Sequence, residues 1–172
     1  MKWVYNDGGR AAAGFKGTTG DCAARAIAIA TGKPYQEVYD AINEIGSSER
    51  TGRRKRKKSN ARTGVYTVAA KKYMAALGWA WVPTMAIGSG CKVHLNENEL
   101  PGGRIVCRVS KHYVAVIDGV LHDIFDSGER GTTVYSKNTP KEDLPKGAYW
   151  LENGNGWAYS PERCVYGYWS KA

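Results

Sequence analysis

Asp21-Cys22-Ala23-Ala24-Arg25-Ala26-Ile27-Ala28-Ile29-Ala30-Thr31-Gly32 is the stretch that decides the fold. Apart from Arg25 it is apolar on all sides, and a helix that is hydrophobic all round belongs at the centre of a domain. Asp21 suits the N-cap, and Gly32 suits the left-handed position after the last turn. The pattern therefore predicts a buried helix that opens on a cysteine.

Working outward, residues 1–20 are rich in Gly, Ala and Thr and predict a short strand followed by a loop. Pro34 suits the first turn of a second helix. Tyr35, Val38, Tyr39, Ile42 and Ile45 form its apolar stripe, and Gly46 is expected to stop it. Residues 47–64 are polar, basic and glycine-containing, the composition of an exposed loop. A third helix is expected with Thr67 as cap, Val68 to Leu77 as body and Gly78 as stop.

Beyond it the texture becomes that of strands. These are expected at Trp79–Val82 (limited to an edge by Pro83), Arg104–Val109, His112–Ile117, Val120–Phe125, Ala148–Leu151 and Cys164–Trp169. Residues 86–102 read as a loop with a helical turn at Asn96–Leu100. Asp118-Gly119 between two apolar runs signals a tight hairpin. With a two-residue turn there, Ile117 pairs with Val120, Val116 with Leu121, Ala115 with His122 and Val114 with Asp123. Opposite residues share a face and side chains alternate. His112 and Asp123 are then diagonal neighbours on the face that carries Val114, Val116, Leu121 and Phe125, and His122 points the other way. Helices first and strands afterwards predict an α+β domain, with N-terminal helices packed on a C-terminal antiparallel sheet.

The chain has 172 residues, 42% hydrophobic and 11% aromatic, which suits one domain over 1–172 with one substantial core. No run of about 18 apolar residues occurs, so no membrane span is expected. The N-terminus lacks the apolar core of a secretory signal. Cys22, Cys91, Cys107 and Cys164 are scattered, and the expectation is reduced thiols in a cytoplasm, or a virion-associated protein if phage-encoded. The net charge of +9 is local: eight positive charges lie between Arg50 and Arg62, leaving a body of +1.

Two features carry chemistry. Cys22 lies in the first turn of its helix, where unpaired N–H groups and the helix dipole favour a thiolate. The bland reading is a small buried core residue. Asp123 is placed to orient the His112 imidazole as the third group of a triad does. Arg25, three residues after Cys22, could lower the thiol pKa or pair with a carboxylate, and a buried charge needs a partner.

A cysteine opening a buried helix, then a histidine at the start of a strand and an aspartate on the next strand, resembles the papain-like cysteine peptidase superfamily in chain order. Gly20 to Gly32 and His112 to Asp123 look like the corresponding segments of a bacterial and phage branch of it. Bacteriocin-processing peptidases and cell-wall peptidases of the NlpC type are more distant in pattern. The resemblance covers residues 15–126. It implies Cys22 as nucleophile, His112 as general base and then acid, Asp123 as orienting residue, and a peptide or amide substrate cleaved through a thioester. Many relatives carry a Gln shortly before the Cys as an oxyanion donor. Lys16 to Asp21 contain none, and Thr19, Asn6 or helix-start N–H groups are the substitutes considered.

The basic run Arg53, Arg54, Lys55, Arg56, Lys57 and Lys58 can be a solvated loop, a nucleic-acid contact acting by counterion release, or a dock for an acidic protein. No aromatic residue is interleaved, which argues against single-strand stacking. Cys91-Lys92-Val93-His94 has C-x2-H spacing, but one knuckle falls short of the two a structural zinc prefers. No metal site and no cofactor are expected. Trp79, Trp81, Trp150, Trp157, Tyr166, Tyr168 and Trp169 read as packing. The leading expectation is a cysteine hydrolase. Its rivals are a non-catalytic structural or interaction protein on the same fold, such as a virion component or host-interaction factor, and a nucleic-acid binder using residues 50–62.

Overall fold

The computed structural model describes residues 1–53, 57–128, 133–146, 148–152, 154–159 and 162–171. The predicted basic residues Arg54, Lys55 and Arg56 lie outside them. The described residues form an α+β structure with three helices, a six-stranded sheet and a small three-stranded sheet.

α1 (Cys22–Thr31) begins at the cysteine, and all eight residues from Ala23 to Ala30 are buried. Gly32, at φ 72°, closes it with its N–H on the Ala28 carbonyl. Arg104 donates from Nε to Ala30 O (2.7 Å) and from Nη2 to Ile29 O (2.5 Å), so a cation covers the negative end of the helix.

α2 spans Tyr35–Ser47 and runs through Gly46, where a stop was expected. The glycine is there for closeness. A Cβ on Gly46 would lie 2.0 Å from the Ser59 carbonyl oxygen. The expected loop over 47–64 is therefore anchored in its second half. Ser59 and Ala61 are buried. Glu49 accepts the Ser59 N–H and hydroxyl, and Asn43 Oδ1 accepts the Ala61 N–H at 2.9 Å. α3 (Thr67–Ala76) follows. Thr67 is its first residue rather than its cap, and its hydroxyl lies 3.4 Å from the Tyr113 hydroxyl.

β1 (Lys2–Tyr5), β2 (Ala80–Pro83), β3 (Arg104–Val109), β4 (His112–Ile117), β5 (Val120–Asp123) and β9 (Gly167–Ser170) make the large sheet, in the order β1-β5-β4-β3-β9-β2. It is mixed, not purely antiparallel as expected, because β1 lies parallel to β5. Parallel neighbours need a long connection, and here all three helices and β2 to β4 intervene. Trp3 Nε1 and the Asn6 N–H both donate to the Asp123 carbonyl (3.2 and 2.9 Å). β2 is an edge strand ending on Pro83, as its proline requires.

The β4–β5 hairpin has the expected register: Ala115 opposite His122, Val116 opposite Leu121 and Ile117 opposite Val120. Asp118 (φ 47°) and Gly119 (φ 75°) both adopt the left-handed conformation of a type I′ turn. β5 stops at Asp123, short of Phe125. The next N–H, of Ile124, is taken at 2.8 Å by the Asp123 carboxylate instead of a neighbouring strand.

Side chains alternate across the sheet. Val106, Tyr113, Ala115 and Trp169 face the helices. Ile105, Cys107, Val109, Val114, Val116 and Leu121 face the other way, under Leu95, Leu100 and Val165. The cover on that second face comes from two segments that pair before β9 begins. Leu95 N donates to Arg163 O and Val165 N to Val93 O, both at 2.8 Å. Cys91 and Cys164 are joined there by a disulfide, which corrects the expectation of four reduced thiols. Cys22 and Cys107 remain free.

The small sheet, β6 (Thr133–Ser136), β8 (Gly156–Tyr159) and β7 (Tyr149–Trp150), lies toward the C-terminus in the order β6-β8-β7. Only β7 coincides with an expected strand. Among the described residues, no helix is long and apolar enough to cross a membrane.

Candidate active site

The alternation of β4 gives His112 to the face opposite α1, yet the two meet because His112 is the first residue of its strand. Cys22, at the first residue of α1, reaches that end of the sheet and lines one cleft with His112 and Tyr113, near enough for the His112 side chain and the Tyr113 backbone to act on its thiol. Tyr113 pairs with Arg108 of β3 and lies beyond the last β4–β5 pair.

Asp123 completes the row. Its Oδ2 lies 2.5 Å from His112 Nε2 and accepts the Ser127 hydroxyl at 2.9 Å. Its Oδ1 takes the Ile124 N–H and lies 3.6 Å from Arg25 Nη2. With Nε2 committed to Asp123, Nδ1 is the ring nitrogen left for the Cys22 sulfur. The Phe125 ring lies 5.4 Å from the imidazole and partly screens it from water.

The electrostatics follow from these contacts. Burial pushes the Cys22 thiol up. The hydrogen bond and charge of His112, the Tyr113 N–H and the Arg25 charge outweigh it, and the thiol lies below its ordinary value. Burial pulls His112 down, but its bonds to Asp123 and Cys22 prevail and raise it to about 9. Burial raises Asp123, and the His112 bond and charge, the Ile124 N–H and the Ser127 hydroxyl bring it below the usual carboxylate range. These directions favour the charged form of each of the three groups over its neutral form.

Asp21 does not cap α1 with its side chain as expected. It is a buried hub. Its carboxylate pairs with Arg25, with Arg10 Nε (2.7 Å) and with the Tyr35 hydroxyl (2.6 Å). Arg10 also donates to the Phe15 and Lys16 carbonyls (3.3 and 3.0 Å), tying the preceding loop to the helix start. Both readings of Arg25 hold together: it pairs with a carboxylate, and its charge lowers the Cys22 thiol.

Cys22 and His112 open onto a cleft of about 540 Å³. One wall is Thr18–Gly20, another Thr63–Thr67, and a third is the β3–β4 turn with Arg108 and Lys111. Lys111 holds φ 56°, a conformation that non-glycine residues adopt rarely and that clusters at functional sites. Thr19 lies at the rim, but its hydroxyl donates to the Arg62 carbonyl at 3.1 Å. Asn6 is not brought to the cleft. Its Nδ2 lies 3.4 Å from His122 Nδ1 and its Oδ1 accepts the Gly8 N–H. Of the basic run, Arg53, Lys57 and Lys58 are exposed. Lys57 and Lys58 border a smaller groove of about 210 Å³ that shares Thr63–Tyr66 with the main cleft.

Comparison of the chain with family models, curated proteins and solved structures gives no match.

The C-x2-H spacing of Cys91 and His94 does not make a zinc pair while Cys91 is bonded to Cys164. His94 Nδ1 instead lies 3.2 Å from Glu99 Oε2 in an exposed trio with Glu162. Cys107 is fully buried among aliphatic side chains, and burial pushes its thiol far up. Ser127 and the Asp21 hub are the site features that sequence reading missed. Arg10, Asp21 and Arg25 bracketing one cysteine was a usable signal for the hub. Nothing in the pattern around Ser127 marked it.

Proposed function

We propose that this protein is a papain-like cysteine hydrolase that cleaves a peptide or amide bond through a thioester on Cys22. The observation that carries this reading is the row Cys22–His112–Asp123 at the mouth of a helix: His112 is bonded to Asp123 at 2.5 Å and shares one open cleft with Cys22. The buried cysteine helix, packed on a sheet whose hairpin supplies the histidine and aspartate, supports the papain-like assignment.

The chemistry runs as acyl transfer. The Cys22 thiolate attacks the carbonyl carbon, forming a C–S bond and a tetrahedral oxyanion. The first i→i−4 bond of α1 is Arg25 N–H to Asp21 O, so the N–H groups of residues 22–24 lie outside the helical ladder and are the backbone donors available to the oxyanion. His112 gives its proton to the departing amine as the C–N bond breaks. Neutral His112 then takes a proton from water, whose oxygen attacks the thioester and releases the acid and the Cys22 thiolate. Asp123 holds the ring orientation and stabilises the imidazolium throughout.

An activated ester tests this without knowledge of the natural substrate. On mixing with p-nitrophenyl acetate, a burst of p-nitrophenol and an acetyl group on Cys22 are expected, both lost in Cys22→Ser. Acetylation of Cys22 no faster than that of free cysteine would contradict the assignment.

A second reading, a non-catalytic interaction or virion protein on this fold, is favoured by one observation. Among the described cleft residues no Gln or Asn side chain faces the sulfur, and the Thr19 hydroxyl is already committed. Loss of one oxyanion donor costs on the order of a hundredfold in rate. Full biological function in Cys22→Ala would establish this alternative. A disulfide persists in oxidising surroundings, so Cys91–Cys164 suits a virion or other oxidising location better than a reducing cytoplasm. Nucleic-acid binding through the exposed Arg53, Lys57 and Lys58 would show as salt-dependent affinity lost on their neutralisation.

A further inference from the structure

We infer that the cleft selects acidic peptides, with negative side chains beside the bond to be cleaved. This rests on the hydrolase reading and names its substrate class. Besides His112, which is paired with Asp123, three cationic side chains line the cleft among the described residues: Arg25, Arg108 and Lys111. Arg25 is neutralised by Asp21 and lies near Asp123. Arg108 and Lys111 have no carboxylate partner among the described residues. Arg108 lies over the Tyr166 ring at 5.2 Å, and Lys111 is exposed on its left-handed turn, directly before His112.

No Asp or Glu appears among the described cleft-lining residues. The adjoining groove adds Lys57 and Lys58 across the shared Thr63–Tyr66 wall, and no carboxylate there either. Lys58 Nζ donates to the Ser47 carbonyl and has no carboxylate partner among the described residues. A recess lined by one sign of charge, with low-dielectric walls, concentrates ligands of the opposite sign. The positive field therefore extends from the reacting sulfur along one side of the cleft. A short acidic peptide fits its chemistry.

The test compares alkylation of Cys22 by iodoacetate and by iodoacetamide, reagents alike in chemistry and different in charge. Cys107 is buried and Cys91–Cys164 is bonded, so Cys22 is the thiol read, with Cys22→Ser as blank. The iodoacetate-to-iodoacetamide rate ratio is expected to exceed that of free cysteine. It should fall as salt is raised, and fall about tenfold in Lys111→Glu at low ionic strength. His112 alone would give a raised ratio insensitive to Lys111. A ratio that responds neither to salt nor to Lys111→Glu or Lys57→Glu overturns the inference. The salt series on the native protein keeps the test valid if a variant misfolds. A Glu-rich hexapeptide should slow alkylation by iodoacetamide where a Lys-rich one does not. Protection by an oligothymidylate but not by the Glu-rich peptide would also overturn it, in favour of nucleic acid. The ratio reads the charge of the cleft at any absolute rate, whereas the pH profile with iodoacetamide reads activation of the thiol, so the two failures are distinct.

Discussion

The carboxylate of Asp123 holds His112 Nε2 at 2.5 Å with the oxygen that also accepts the Ser127 hydroxyl. Four donors thus converge on one buried side chain: His112, Ser127, the Ile124 N–H and, at 3.6 Å, Arg25. An aspartate held this way fixes the imidazole with Nδ1 toward the sulfur. Asp123→Asn keeps the shape and removes the charge. It should lower the rate of Cys22 acetylation at neutral pH by about a hundredfold or more. Ser127→Ala removes one neutral donor and should cost only about 1 kcal/mol of stability, read by urea denaturation, with most of the acetylation rate retained.

His112 titrates at about 9 because both Asp123 and Cys22 favour its charged form. In the free protein, its imidazole signals should remain those of the cation through neutral pH in an NMR titration. Cys22→Ser removes one of the two causes and should move the midpoint down, and Asp123→Asn should move it down as well. For stability the sign follows from the raised folded value. The His112 contribution is fully present below about 6.5, the unfolded value, and is lost as pH rises through about 9. Asp123, whose folded value is depressed, contributes above its unfolded value of about 3.9, and that contribution is lost as pH falls through the folded one.

Arg25 and Asp21 are both nearly inaccessible to solvent (4% and 1% exposed). Breaking a buried pair leaves an uncompensated charge, at a cost of about 3 to 5 kcal/mol. Arg25→Met should fall at the low end, because Asp21 retains Arg10 and Tyr35. Asp21→Asn should fall at the high end, because it weakens the partners of Arg10 and Arg25 together. Thermal denaturation of the two variants checks the order.

Gly46→Ala sets two effects against each other. Alanine is favoured over glycine in a helix by about 1 kcal/mol. Here its Cβ would meet the Ser59 carbonyl at 2.0 Å, and overpacking of that kind costs about 1 to 3 kcal/mol. Net destabilisation is therefore expected. The cleft wall at 63–67 follows directly after the displaced segment, so the rate of Cys22 alkylation should change too.

The Cys91–Cys164 bond closes a sequence separation of 73 residues, for which chain entropy alone predicts about 4 kcal/mol. A reductant should lower the melting temperature without touching the site. Titration with a thiol reagent under denaturing, non-reducing conditions should find two thiols, Cys22 and Cys107.

The site was legible where its signal was local. The α1 stretch has one strong periodicity and clean ends, and Asp118-Gly119 fixes a register that places His112 and Asp123 without knowledge of the rest. What escaped depended on distant chain. β1 pairs with β5 across three helices and three strands, and nothing in Lys2–Tyr5 names that partner. Gly46 looked like a stop because glycine weakens helices, and only the approach of Ser59 reverses that meaning. Asp21 sat at an N-cap position, but the buried Arg25, the half-buried Arg10 and a tyrosine outcompete one backbone N–H. β6 and β8 are short and carry Ser, Gly and Asn around them, so they read as loop. Cys91 and Cys164 are brought together by pairing of 93–95 with 163–165, which no local pattern encodes.

The rate of Cys22 alkylation by iodoacetamide, followed from pH 5 to pH 10, tests the account most directly. A thiolate held by an imidazolium predicts substantial reactivity well below pH 8.5, the ordinary thiol value, and a further change near pH 9 as His112 loses its proton. A single rise centred at or above pH 8.5, with negligible reaction at pH 6 and no response to His112→Ala, would contradict it.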